Sequence, residues 1–134
     1  MNRVFIDTAP FIYLLERDDE LNRTVYQQFE NWFESNSVLL TSVLTLAEVL
    51  VYPKQKKQVA LENKYKYLIK EMLSEPLVAM DEEIADKSVF FRVKYKLKMP
   101  DAIQVATAIQ TGCDIFYTND KDLKKVKEIK IITV

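Results

Sequence analysis

Short apolar runs alternate along this chain with longer stretches in which apolar residues recur every three or four positions. The two periods predict strands and helices in turn. Arg3 to Ile6 is a β-type run, and Pro10 to Leu15 predicts a short helix with proline near its first turn. In Leu21 to Glu34 the apolar residues Leu21, Val25, Phe29, Trp32 and Phe33 lie along one helical face. Val38 to Thr41 is a second strand. Thr45 to Val51 reads as a largely buried helix stopped by Pro53, and Lys56 to Leu73 as a long basic helix ending before Pro76. Leu77 to Met80 is a third strand and Glu82 to Leu97 another helix. Asp101 to Thr111 is an Ala-rich helix closed by Gly112, and it feeds a strand from Asp114 to Thr118. Ile129 to Val134 is the last strand.

Strands separated by helices predict an α/β fold: a mostly parallel sheet of about five strands with helices on both faces, three layers in all. The 134 residues fit one domain, 1–134, and 49% hydrophobic content supplies a core. No apolar run is long enough to span a bilayer, and no signal-peptide pattern precedes the first strand. The single cysteine, Cys113, has no partner for an internal disulfide. The expectation is a cytoplasmic protein without membrane association.

Composition narrows the chemistry. The chain contains no histidine, which removes the usual general base and any Ser-His or Cys-His pair. With one glycine, neither a phosphate-binding Gly-rich loop nor a dinucleotide fingerprint can be written. A hydrolase built from this set must rely on carboxylates or a metal. Net charge is -1, yet the charges are segregated. Glu16 to Glu34 carries six acids against two arginines, Lys54 to Lys70 six lysines against Glu62, and Lys87 to Lys98 five cations and no acid. Such asymmetry creates a basic surface on a near-neutral protein, or simply solvated helix faces.

The acids carry the candidate chemistry. Asp7 ends the first strand, where it or Thr8 also suits a helix cap before Pro10. Asp101 opens the Ala-rich helix, and Gln104 three residues on gives it the look of a capping box. Asp120 and Asp122 sit in a polar turn beyond a strand, where Asn and Asp are common. Glu48 lies in VLTLAEVLVY, where no cap explains it. A buried carboxylate there demands a strong partner, either a basic side chain or a metal cation. In a parallel sheet the ends of strands and the starts of following helices meet at one edge. Carboxylates gathered there repel unless a cation compensates. Hard oxygen ligands without His or Cys select Mg²⁺ or Mn²⁺ over zinc.

Four pieces, in order, resemble the PIN-domain nucleases: VFIDTAPFIY, TSVLTLAEVL, MPDAIQVATAI and FYTNDKDL. They frame nearly the whole chain. A stand-alone domain of this size is similar to the toxin of VapBC-type toxin–antitoxin pairs. By that resemblance the catalytic, metal-binding acids fall on Asp7, Glu48, Asp101 and Asp120, with Asp122 within reach of the fourth position. Leu123 stands where the family often has Phe. Thr8 and Thr118 would hold water on the metal, or make ordinary turn hydrogen bonds. The implied activity is Mg²⁺- or Mn²⁺-dependent hydrolysis of RNA by activated water, leaving 5′-phosphate and 3′-hydroxyl ends. The implied partners are the RNA substrate, a small antitoxin protein and a second copy in a homodimer. Phe11, Tyr13, Leu14, Tyr26, Trp32 and Phe33 are candidates for such interfaces, or for plain core packing. The alternatives are a related RNA-processing nuclease outside such a pair and a non-catalytic RNA-binding module. A phosphatase using Asp7 as nucleophile is disfavoured, because Ala9 stands where the second acid of that chemistry belongs.

Overall fold

A computed structural model describes residues 1–134. Its sheet has four parallel strands in the order β2-β1-β3-β4: β1 (Arg3–Ile6), β2 (Val38–Leu40), β3 (Ile115–Thr118) and β4 (Lys130–Thr133). Parallel pairing needs a crossover between successive strands. Two helices, α1 (Thr8–Glu16) and α2 (Glu20–Glu34), supply the first. The connection from β2 to β3 is far longer and holds α3 (Val43–Val49), α4 (Val51–Gln55), α5 (Val59–Met72), α6 (Glu82–Tyr95) and α7 (Met99–Gln110).

The two-residue period of the strands sorts their side chains between two cores. Val4, Ile6, Ile115 and Tyr117 face a core with Phe11, Phe29, Trp32 and Ile69 from α1, α2 and α5. Phe5 and Phe116 face the opposite core, against Ile84 and Phe91 of α6 and Ala102, Val105 and Ala106 of α7. Their rings stack at 5.3 Å between centroids. The three-layer α/β/α arrangement follows from that division.

The expected fifth strand, Leu77–Met80, is absent. Only Val78 pairs, in a single bridge with Ser42, through Val43 N to Val78 O at 3.0 Å and Val78 N to Thr41 O at 3.0 Å. The neighbouring chain offers nothing further, because Ser42 already caps α3. The helix expected over Thr45–Val51 also differs. It begins at Val43 and ends at Val49, and Pro53 lies inside the next helix instead of stopping the first. Pro53 cannot donate to the carbonyl of Val49, so the ladder breaks there, and within the first turn of α4 the missing N–H costs little. The basic helix starts at Val59, which leaves Lys56 and Lys57 in the turn before it. A short 3₁₀ helix over Lys121–Lys125 was not expected from the apolar pattern.

Candidate active site

The carboxyl ends of β1 and β3 and the amino ends of α1, α3 and α7 meet at one edge of the sheet. The backbone N–H of Asp7 donates to Tyr117 O at 2.9 Å, so the β1–β3 ladder runs one residue beyond β1. That register sets Asp7 beside Thr118. A cleft of about 200 Å³ opens at this edge, lined by Asp7, Thr8, Glu48, Asp101, Gln104 and Asn119, among others.

Asp7 occupies the N-cap position of α1 but makes no capping bond to the helix. Its oxygens are used elsewhere: Thr118 Oγ1 donates at 2.8 Å and Gln104 Nε2 at 3.3 Å. No Lys or Arg pairs with it. Burial pushes its pKa up to about 6; the neighbouring Thr8 backbone N–H and the hydrogen bond from Thr118 oppose that rise, and the nearby Asp101 adds to it.

Asp101 is half-buried in the first turn of α7, whose N-cap position is Lys98. It is therefore not a cap, and the capping-box reading with Gln104 does not hold. Its pKa is raised, first by burial and next by Asp120; Lys98 opposes, and Glu48 and Asp122 add smaller repulsions.

Glu48 differs from expectation. It is exposed on α3, so no burial cost demands a cation for it. Only one side of α3 faces the core, through Thr45 and Val49, and Glu48 lies off that side. It leans toward the cleft, where it accepts a hydrogen bond from Thr8 Oγ1 at 2.7 Å. The desolvated acid without a cationic partner is the half-buried Asp7.

The two acids of the turn separate. Asp120 caps the 3₁₀ helix by accepting from Asp122 N at 2.9 Å, and its own N–H donates to Thr118 Oγ1 at 3.1 Å. Asp122 is exposed and paired with Lys125 at 2.9 Å.

Beneath these acids runs a network that sequence reasoning missed. Gln104 is 1% exposed and joins three elements. Its carbonyl accepts from Ser42 Oγ, and its amide donates to Thr45 Oγ1 at 2.7 Å as well as to Asp7. Thr45 in turn lies 3.5 Å from Thr8 Oγ1, which holds Glu48. A buried amide has no water to satisfy it, so its partners fix the geometry above. The available signal was a lone Gln among Ala102, Val105, Ala106 and Ala108 on the buried side of α7.

The donor set is all oxygen, and Asp7 and Asp101 both have raised pKa values, from burial first and from neighbouring acids after it. That chemistry fits a hard divalent cation. No three acids stand close enough to enclose an ion by themselves. Mg²⁺ in such a site would keep several waters and take one or two carboxylates together with substrate phosphates. Two lysines of the basic runs are already paired: Lys54 with Glu62 at 3.7 Å and Lys94 with Glu128 at 2.8 Å. No helix is long and apolar enough to cross a membrane.

Comparison with known proteins gives a consistent picture. The family model described as the PIN domain matches residues 4–129. Among solved structures, a toxin–antitoxin complex from Klebsiella pneumoniae contains a chain 27% identical, covering 97% of this chain and 96% of that one, with a TM-score of 0.76. VapBC2 from Rickettsia felis, bound to a DNA fragment from its promoter, shares the fold at 14% identity, 98% of each chain and a TM-score of 0.79. VapC20 from Mycobacterium tuberculosis, a toxin that cleaves the sarcin–ricin loop, does so at 16% identity, 95% of this chain, 98% of that chain and a TM-score of 0.70. No match was found among the curated proteins.

Proposed function

The chain belongs to the PIN-domain family, and from that membership we propose that it is a metal-dependent endoribonuclease and the toxin of a toxin–antitoxin pair. The observation that carries the proposal is the Asp7 carboxylate. It is held by Thr118 and Gln104 at a strand end, lacks a cationic partner, and shares a cleft with Asp101 and Glu48. Asp7, Glu48, Asp101 and Asp120 would hold Mg²⁺ or Mn²⁺, one or two of them directly and the others through the ion's waters. Asp120 is preferred to Asp122 because Asp122 is already paired with Lys125 and Asp120 acts more strongly on Asp101. When bound, the ion supplies Lewis acidity at the phosphate and makes water a competent nucleophile at neutral pH.

The protein's own residues position the reaction. Thr118 and Gln104 keep Asp7 in one rotamer, and Thr8 steers Glu48 toward the cleft. Lys98, at the start of α7, brings positive charge beside Asp101 and offsets repulsion of an incoming phosphate. The cluster of acids around Asp7 suits a bound metal and its water better than a carboxylate acting alone as general base. Water is therefore the nucleophile, and products carry 5′-phosphate and 3′-hydroxyl ends. Incubating purified protein with single-stranded RNA and Mn²⁺ tests this. Cleavage should cease with chelator and in Asp101→Asn. Chelator-resistant cleavage, or 2′,3′-cyclic phosphate ends, refutes the mechanism.

The partners belong to the same proposal. The Klebsiella chain is described as part of a toxin–antitoxin complex, which supports an antitoxin here. Phe11 and Trp32 are committed to the core, whereas Tyr26 and Phe33 are half-exposed. They border an apolar hollow of about 430 Å³ with Leu14, Leu15, Leu68 and Met72. That hollow is the proposed seat of an amphipathic antitoxin segment. Self-association into a homodimer is proposed on the family resemblance.

A further inference from the structure

A second hollow adjoins the acidic cleft. It lies between α1, α4 and α5, measures about 490 Å³, and is lined by Ile12, Tyr13, Glu16, Arg17, Tyr52 and Tyr65, among others. Ile12 lines both spaces, so the two share a wall. Asn119, on the wall of the cleft, donates to Tyr13 Oη at 2.9 Å and ties the rim of one to the other.

Its chemistry is unlike that of an ordinary crevice. Three tyrosines line it, and two carry cations near their rings: Arg17 lies 5.7 Å from the Tyr13 centroid and Lys56 5.8 Å from that of Tyr52. Tyr65 is 4% exposed, and its hydroxyl bonds to no protein group. No polar side-chain atom is both sealed from solvent and unpartnered, so this hydroxyl opens into the hollow. Glu16 and Tyr52 stand near it, each resisting its ionisation, after burial as the leading cause. A polar edge thus converges inside an aromatic frame with cations at the rim.

We propose that this hollow is a nucleobase subsite, which takes one unpaired base of the RNA strand cut in the adjoining cleft. The inference rests on the nuclease reading above. An aromatic ring offers a stacking face to any base, and Lys56 at the rim suits a flanking phosphate, whereas Arg17 is held by Asp19. The Tyr65 hydroxyl and the Glu16 carboxylate address the base edge. Glu16 accepts from an exocyclic amino group, present on adenine, cytosine and guanine and absent from uracil. The subsite therefore favours an amino-bearing base at one position near the scissile bond.

The test is binding of a fluorescent single-stranded RNA by the full chain carrying Asp101→Asn, so that the strand is not cut. Adding Tyr52→Ala should weaken binding about 5- to 100-fold, the usual worth of one stacked base, whereas Tyr52→Phe should retain it. Tyr65→Phe keeps the ring and its packing; it should weaken binding by a smaller factor and flatten the preference among bases. An oligonucleotide abasic at one position should bind as weakly as Tyr52→Ala does, and the two losses should not multiply. Circular dichroism confirms that each variant is folded. If folded Tyr52→Ala and Tyr65→Phe bind every oligonucleotide as well as their parent while the wild type still cleaves, the subsite is overturned and the nuclease reading survives. If the wild type cleaves no RNA with Mn²⁺, the nuclease reading falls and the subsite falls with it.

Discussion

The protonation of Asp7 links the site to the stability of the fold. In metal-free protein its carboxyl is pushed up to about 6, from an ordinary value near 3.8, chiefly by burial. Between about pH 4 and 6 the folded state therefore binds more protons than the unfolded state. Stability falls as pH rises through that window, and the loss is complete above it. A shift of about two units at about 1.36 kcal/mol each makes ionised Asp7 cost up to about 3 kcal/mol at pH 7. The cleft is open to water on one side, so this is an upper bound. In Asp7→Asn the charge is gone, and the amide oxygen still accepts from Gln104 or Thr118. Weakening one of those bonds costs about 1 kcal/mol. The variant should thus be more stable than wild type at pH 7 in chelator, by up to about 2 kcal/mol. The assay is urea denaturation followed by circular dichroism at pH 4.5 and pH 7, with and without Mg²⁺. The gain should vanish at pH 4.5, where wild-type Asp7 is already protonated. It should shrink or reverse in Mg²⁺, which stabilises only the chain that binds it. A variant less stable than wild type at pH 7 in chelator, or a difference independent of pH, refutes the reasoning.

Other perturbations test separate parts of the structure. Asp101→Asn should lower the RNA cleavage rate at least about 100-fold, measured with Mn²⁺, without lowering the thermal midpoint in chelator. Gln104→Met removes a buried amide and orphans Ser42 and Thr45; urea denaturation should show a loss of about 1–3 kcal/mol, and the cleavage rate should fall as Asp7 loses a support. Phe5→Ala empties a fully buried position stacked on Phe116 and should cost about 3–5 kcal/mol by the same denaturation assay. RNA affinity should fall steeply between low and moderate salt in a fluorescence titration, and a flat response refutes a role for the lysines in phosphate contact.

Much of this architecture could be read in the residues. β1 was placed at its observed bounds, and β2, β3 and β4 to within two residues, because each is a short apolar run bounded by polar turns. The amphipathic α2 was equally plain, since its buried residues Val25, Phe29 and Trp32 repeat at helical spacing. The failures have local causes. Leu77–Met80 has the composition of a strand, but pairing depends on a neighbour, and that neighbour had already turned into a helix at Ser42. Pro53 signals a broken ladder, which sequence alone reads as a stop instead of a restart.

The same division runs through the site. The sequence by itself determined which groups are available: carboxylates at strand and helix ends, no histidine, and an α/β alternation that brings those ends to one edge. Only the tertiary structure decided what each group does. Glu48 proved exposed and the half-buried Asp7 the uncompensated acid, because burial depends on which side of α3 meets a core that distant elements build. Gln104 passed for half of a capping box until the fold set it against Ser42, Thr45 and Asp7, up to 97 residues away in the chain. Apolar periodicity reports a residue's own helix or strand. Hydrogen-bond partners and desolvation are properties of contacts between elements, and those exist only once the chain has folded.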